Sequence, residues 1–183
     1  MSCDTCEGRQ PLRDITRLAR SGAHTHPLES CMREGAPTMS VTNIVKAPAN
    51  VVKAAATGKV GVLRDWLSSD DAANVNAANA AGKFTLLHIA ARNGHERVVD
   101  LLLRGGAETE LQDSDAFTAL MCAALQGRER VLELLLRHGA EVNVQSSNGG
   151  TALIFAAFFN HPAVVLRVLQ AGANTALRTM SGK

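Results

Sequence analysis

Tyrosine is absent from this chain, tryptophan occurs once, and aromatic residues make up only 3% of the sequence. The basic residues are scattered and have no aromatic partners interleaved with them, so a nucleic-acid interface is not expected. The formal net charge of +2 gives no bulk pull toward nucleic acid or a membrane surface. No apolar run approaches the ~18 residues needed to cross a bilayer. The N-terminus lacks the apolar stretch of a secretory signal, and Asp4, Glu7 and Asp14 argue against an organelle transit peptide. Four cysteines, three of them crowded near the N-terminus, do not make a disulfide framework, which points to the cytosol or nucleus. Gly58-Lys59 and Gly82-Lys83 lack the spacing and the Ser or Thr of a phosphate loop, and no Ser, His and acid fall into a nucleophile pattern. No catalytic residue and no cofactor are therefore expected.

Residues 1–48 show no sustained hydrophobic period and mix Ser, Thr, Gly, Pro and charges, the composition of a disordered tail. Within it, Leu12, Ile15 and Ala19 fall on one face of a short amphipathic segment, too short to hold as a helix alone. Cys3 and Cys6 form a Cys-x-x-Cys pair, followed by His24, His26 and Cys31. Two thiolates at that spacing can chelate zinc, with His26 and Cys31 completing a tetrahedron. The alternative is a set of free thiols in a flexible tail.

What the chain has in place of aromatics is alanine and a repeat. Thr85, Thr118 and Thr151 stand 33 residues apart, each followed two positions later by Leu87, Leu120 or Leu153. Alanine pairs recur at Ala90-Ala91, Ala123-Ala124 and Ala156-Ala157, and Gly-Ala pairs at Gly106-Ala107, Gly139-Ala140 and Gly172-Ala173. A fixed period of this length marks a stacked array in which each unit buries its apolar face on its neighbours. Small residues allow close helix packing, and Ala has the best helix propensity.

Each unit reads as two helices. In the first full unit a helix runs from Thr85 to about Asn93, and Gly94 ends it in the left-handed conformation. A second helix carries Val98, Val99 and Leu101 to Leu103 on a broad apolar stripe. In the third unit Asn160 replaces the glycine, and Pro162 suits a first-turn position. An altered unit precedes these, with Asn50 as the cap of its first helix, Gly58 at that helix's end and a second helix from about Val60 to Leu67.

This pattern resembles the ankyrin repeat. Thr85, Leu87, His88, Ala90, Ala91, Gly94, His95, Val98, Val99 and Leu101 to Leu103 follow the family motif almost in full. Asp113, Thr118, Leu120, Gly127, Gly139, Ala140 and Asn143 carry it in the second unit, and Gly149, Thr151, Leu153, His161, Val164, Val165, Gly172 and Ala173 in the third. The resemblance implies an all-α solenoid of helix–turn–helix units with short β-hairpin tips. It places an altered unit at 49–79, full repeats at 80–112, 113–145 and 146–178, and the opening of a further hairpin at 179–183. The family Pro is replaced by Leu86, Ala119 and Ala152, and the family His survives only as His88, with Met121 and Ile154 in its place. The later units are therefore expected to be less rigid. Gly82 to Thr85 is one residue longer than the family's Gly-x-Thr.

The resemblance also implies where a partner docks: on the hairpin tips and the exposed side of the first helices. The tips carry Lys83 and Phe84, then Ser114, Asp115 and Phe117, then Ser147 and Asn148. The helix positions before each inter-helix turn carry Arg92 and Asn93, then Leu125 and Gln126, then Phe158 and Phe159. Phe117, Leu125, Phe158 and Phe159 stand where polar residues are usual and could form an apolar patch; the alternative is that Phe158 or Phe159 serves packing. The expected function is non-catalytic binding of another protein. The alternatives are a recruiting segment of a larger enzyme, such as a ubiquitin ligase or kinase, and a scaffold that self-associates through an uncapped last repeat. Asn143 lies in a context like that accepted by asparaginyl hydroxylases, with inter-repeat turn stabilisation as the other reading.

Overall fold

The computed structural model describes residues 45–69, 74–81 and 83–180. Eight helices lie among them: α1 (Ala49–Thr57), α2 (Val60–Leu67), α3 (Leu86–Asn93), α4 (Glu96–Arg104), α5 (Ala119–Leu125), α6 (Glu129–Arg137), α7 (Ala152–Phe158) and α8 (Pro162–Gln170). They form two layers. The first helices α1, α3, α5 and α7 pack in sequence, and the second helices α2, α4, α6 and α8 pack in sequence behind them. The 33-residue period becomes a slab in which each pair touches the pairs on either side.

The repeated threonines start the first helices. Thr85, Thr118 and Thr151 hold extended backbone as N-caps, and their hydroxyls accept hydrogen bonds from the backbone N–H of His88, Met121 and Ile154 at 3.3, 3.4 and 3.3 Å. Each bond satisfies one of the donors that a helix start leaves without an intrahelical partner. In α1 the expectation fails: Pro48 is the N-cap, and Asn50 lies inside the helix. The ring of Pro48 presets a φ of −57°, and its carbonyl accepts from the N–H of Val51 and Val52, so the chain enters the helix before Asn50.

The alanine pairs fill the tightest places. Ala90, Ala91, Ala123, Ala124 and Ala156 are fully buried, where a larger side chain would push neighbouring helices apart. Behind them Leu87, Leu102, Leu120, Leu132 and Leu135 form one continuous core with Val98, Val131, Val164 and Val168. Val45 to Pro48, assigned to the tail by composition, joins this fold: Ala47 N–H donates to Ala78 at 2.7 Å, and Ala78 N–H to Val45 at 2.9 Å. The remainder of that tail, with its Cys and His residues, lies outside the described residues.

The tips are tight turns. Bridge pairing is limited, among the described residues, to Ala78 with Thr85 and Lys46 with Ala78. Elsewhere two backbone bonds close each turn: Asp113 N–H to Phe117 at 2.9 Å with Ala116 N–H to Asp113 at 3.0 Å, and Ser146 N–H to Gly150 at 2.9 Å with Gly149 N–H to Ser146 at 2.8 Å. The first tip closes from Asn79 N–H to Phe84 at 2.8 Å, five residues apart where the others span four. With the turn closed between Asn79 and Phe84, the cap at Thr85 keeps its place.

Candidate interaction surface

The tips and the first-helix ends are held in place by hydrogen bonds from neighbouring repeats. Ser147 N–H donates to the Asp115 carbonyl at 3.0 Å, and one period on, Met180 N–H donates to the Asn148 carbonyl at 2.9 Å. His88 ties the first full repeat to the second tip. Its Nε2–H donates to the Phe117 carbonyl at 2.9 Å, while Nδ1 accepts from the Thr85 hydroxyl at 2.7 Å and from the Thr85 N–H at 3.3 Å. That set of partners requires the neutral imidazole. Burial holds the His88 pKa below its usual value, with the Phe117 carbonyl and Asp113 opposing the shift.

A second row of bonds holds the helix ends. His95 Nε2–H reaches the Ala56 carbonyl at 2.8 Å, Arg128 Nε–H the Arg92 carbonyl at 3.4 Å, and His161 Nε2–H the Leu125 carbonyl at 3.1 Å. Each uses an otherwise open carbonyl at the end of the preceding first helix. The same three side chains lie over the glycine that ends that helix. A Cβ on Gly58, Gly94 or Gly127 would approach His95, Arg128 or His161 to 2.8, 2.8 and 2.6 Å. These glycines are needed for their left-handed backbone and also for the room they leave.

On this scaffold the residues expected to bind a partner separate into two groups. Phe84, Asp115, Phe117 and Leu125 come together around one cavity of about 180 Å³, with Arg92, Asp113 and Cys122 completing its wall. Phe117 is half-buried, its ring stacked on Phe155 with centroids 4.8 Å apart. Asp113 is buried, and its Oδ1 accepts from the N–H of Asp115 and of Phe117, both at 2.8 Å. Burial pushes the Cys122 thiol up to about 12, so it stays protonated. Phe158 and Phe159 are not part of this cavity. They meet edge to face at 5.1 Å at the end of α7, and Phe158 is 76% exposed.

The polar positions differ in what they are free to do. Lys83, Ser114 and Ser147 are exposed on their tips, and Gln126 is half-buried at the end of α5. Asn148 is occupied by its own turn: its Oδ1 accepts from the Ser146 hydroxyl at 2.7 Å and from Gly150 N–H at 3.0 Å. Asn143 is occupied too, with Oδ1 accepting from Asn174 N–H at 2.7 Å and Nδ2 donating to Gly172 at 3.4 Å. Arg92 falls on the expected docking side of its helix without having been singled out, and Cys122 was not among the expected contact residues. A comparison at one period could have found the second: Ile89, Cys122 and Phe155 are equivalent positions, and the smallest side chain is in the middle repeat. Among the described residues, no group of three or more His, Cys, Asp or Glu could hold a metal ion, and no helix is long and apolar enough to cross a membrane.

A family model described as ankyrin repeats in three copies matches the chain at residues 51–146 and again at 87–179, together more than half of its length. Among curated proteins, none matches the sequence at a significant level.

Proposed function

Because the chain belongs to the ankyrin-repeat family, whose members are generally protein–protein interaction modules, we propose that it binds another protein through the strip formed by its tips and first-helix ends and that it catalyses no reaction. The observation that carries this reading is the fixing of that strip from repeat to repeat. Ser147 to Asp115, Met180 to Asn148 and His88 to Phe117 hold the tips in register, and His95, Arg128 and His161 hold the helix ends. A surface fixed before contact loses little conformational entropy on docking. Phe84, Phe117 and Leu125 supply its apolar centre; Lys83, Ser114, Asp115, Gln126 and Ser147 supply polar contacts around it.

Affinity capture with the wild-type chain beside Leu125→Arg tests the reading. The variant should lose the captured partner while keeping its melting temperature within a few degrees. Equal capture by both proteins would move the interface away from the strip.

A second reading, self-association, is supported by exposed apolar side chains on the third repeat and just after it: Phe158, Phe159, Leu166 and Leu169, then Met180. Leu166 and Phe159 are exposed where the inner repeats carry Asp100 and Glu133, and Asn93 and Gln126. Light scattering over a wide concentration range decides it. A mass that stays that of one chain excludes association through this face.

A further inference from the structure

The cavity between the first two full repeats has a size, a wall and a rim that specify what enters it. At about 180 Å³ it exceeds the ~150 Å³ of an engineered apolar cavity that takes up benzene. Its walls are the rings of Phe84 and Phe117, the Leu125 side chain and the protonated Cys122 thiol. The stack of Phe117 on Phe155 holds one of those walls in place. The cavity's origin is legible in the period: Cys122 stands where the flanking repeats have Ile89 and Phe155, so the middle repeat alone has a small side chain there.

The rim is charged. Asp113 is spent on the Asp115 and Phe117 N–H groups. Arg92 and Asp115 line the same opening, and among the described residues neither side chain has an ion-pair partner. Ala116, between Asp115 and Phe117, is held at φ 59°, where its repeat counterpart is Gly149. Backbone strain in a non-glycine residue tends to collect at binding surfaces, and here it falls between two residues that line the cavity.

We propose that this cavity is the anchor pocket of the interaction surface, taking one aromatic or large aliphatic side chain from a peptide segment of the partner, with a neighbouring carboxylate of that segment paired to Arg92. The proposal rests on the reading of the strip as a protein-binding surface. A buried ring in a preformed hollow is the kind of contact that dominates interface energies. The guanidinium sets which residues may flank it, since it presents a planar fork of donors to a carboxylate.

Short acetylated peptides carrying a central Trp, Phe, Leu or Ala, each flanked by Glu or by Lys, test this against the full chain by fluorescence anisotropy and amide-shift mapping. The Trp, Phe and Leu peptides should bind about tenfold or more tightly than Ala, prefer Glu over Lys, and shift the signals of Phe84, Phe117, Cys122 and Leu125. Cys122→Phe fills the hollow with the side chain of the next repeat and should remove the preference for a bulky centre. Arg92→Glu should reverse the preference from Glu to Lys flanks, and Asp115→Asn should strengthen the Glu peptides. A thermal melt of each variant accompanies its binding curve. If folded Cys122→Phe binds as the wild type does, if Ala peptides bind as well as Trp, or if shifts map elsewhere on the strip, the anchor pocket is refuted while the binding surface stands. A panel without any binder at millimolar concentration also refutes the pocket, and the capture experiment with Leu125→Arg then judges the surface independently.

Discussion

His88 shows how much one residue can carry in this array. It satisfies the Thr85 cap on one side and the Phe117 carbonyl of the next tip on the other, while 2% exposed. Removing it with His88→Ala leaves that carbonyl unpaired and opens a void, at a cost of about 2–3 kcal/mol measurable by urea unfolding. Its titration has a definite sign. Burial depresses the folded pKa below 6.5, so the unfolded chain binds the proton more readily. Stability is therefore intact above pH 6.5 and falls as the pH drops below it toward the folded value. His88→Met, using the residue that the second repeat has there, should lower stability at neutral pH yet flatten this acid limb. An unchanged acid limb would assign the titration to another group. Ala116 provides a test in the opposite direction. It sits at φ 59°, so Ala116→Gly should raise stability by about 0.5–1 kcal/mol, read as a higher melting temperature.

At the level of helices and turns, the junction between first and second helix is the repeating joint. The helix-ending glycine takes a left-handed φ of 75°, 81° or 67° at Gly58, Gly94 and Gly127, and the next repeat's His or Arg closes over it. Gly127→Ala should cost more than the ~1 kcal/mol usual for a left-handed alanine, because the added Cβ also meets His161. The third repeat carries Asn160 at φ 57° in the same place. Asn160→Gly should change stability by only a few tenths of a kcal/mol, since Asn tolerates this backbone. A Gly127→Ala loss no larger than ~1 kcal/mol would show that the backbone alone, and not the overlying side chain, selects glycine there. The ion pairs between successive second helices, Glu129 with Arg167 at 3.1 Å and Glu96 with Arg130 at 3.8 Å, are too exposed to add much.

For the molecule as a whole, stability is a sum of repeats and of the interfaces between them. Leu135 is fully buried in a repeat with neighbours on both sides. Leu135→Ala should cost about 2–5 kcal/mol and lower the whole transition. Val168 is equally buried, but its helix packs mainly on α7 and α6 among the described helices. Val168→Ala should instead loosen α7 and α8 locally, seen as faster amide exchange there with α3 and α4 still protected. Uniform exchange across all helices would mean the array opens as one unit. The two-layer stacking also leaves the tips and first-helix ends as the surface available to the proposed partner, because core packing occupies the remaining faces of those helices.

The period of 33 residues, the Thr caps, the paired alanines and the glycine stops are local or regular features, and by themselves they determined the helix pairs and their order. They work through short-range backbone bonds and through apolar spacing, both of which are written in the chain. The cavity as a whole was not written there, although the period marks Cys122 as its one small side chain. It forms because Phe84 and Phe117 from two tips, Arg92 from α3, and Cys122 and Leu125 from α5 converge only after α3 and α5 stack. Stacking likewise decided that Phe117 would pack on Phe155, that Asn148 would serve its own turn, and that Phe158 would stand apart. Sequence spacing specifies which face a side chain takes, but whether that face meets a ring, a carbonyl or solvent depends on the neighbouring repeat, and that neighbour is brought close only by the fold.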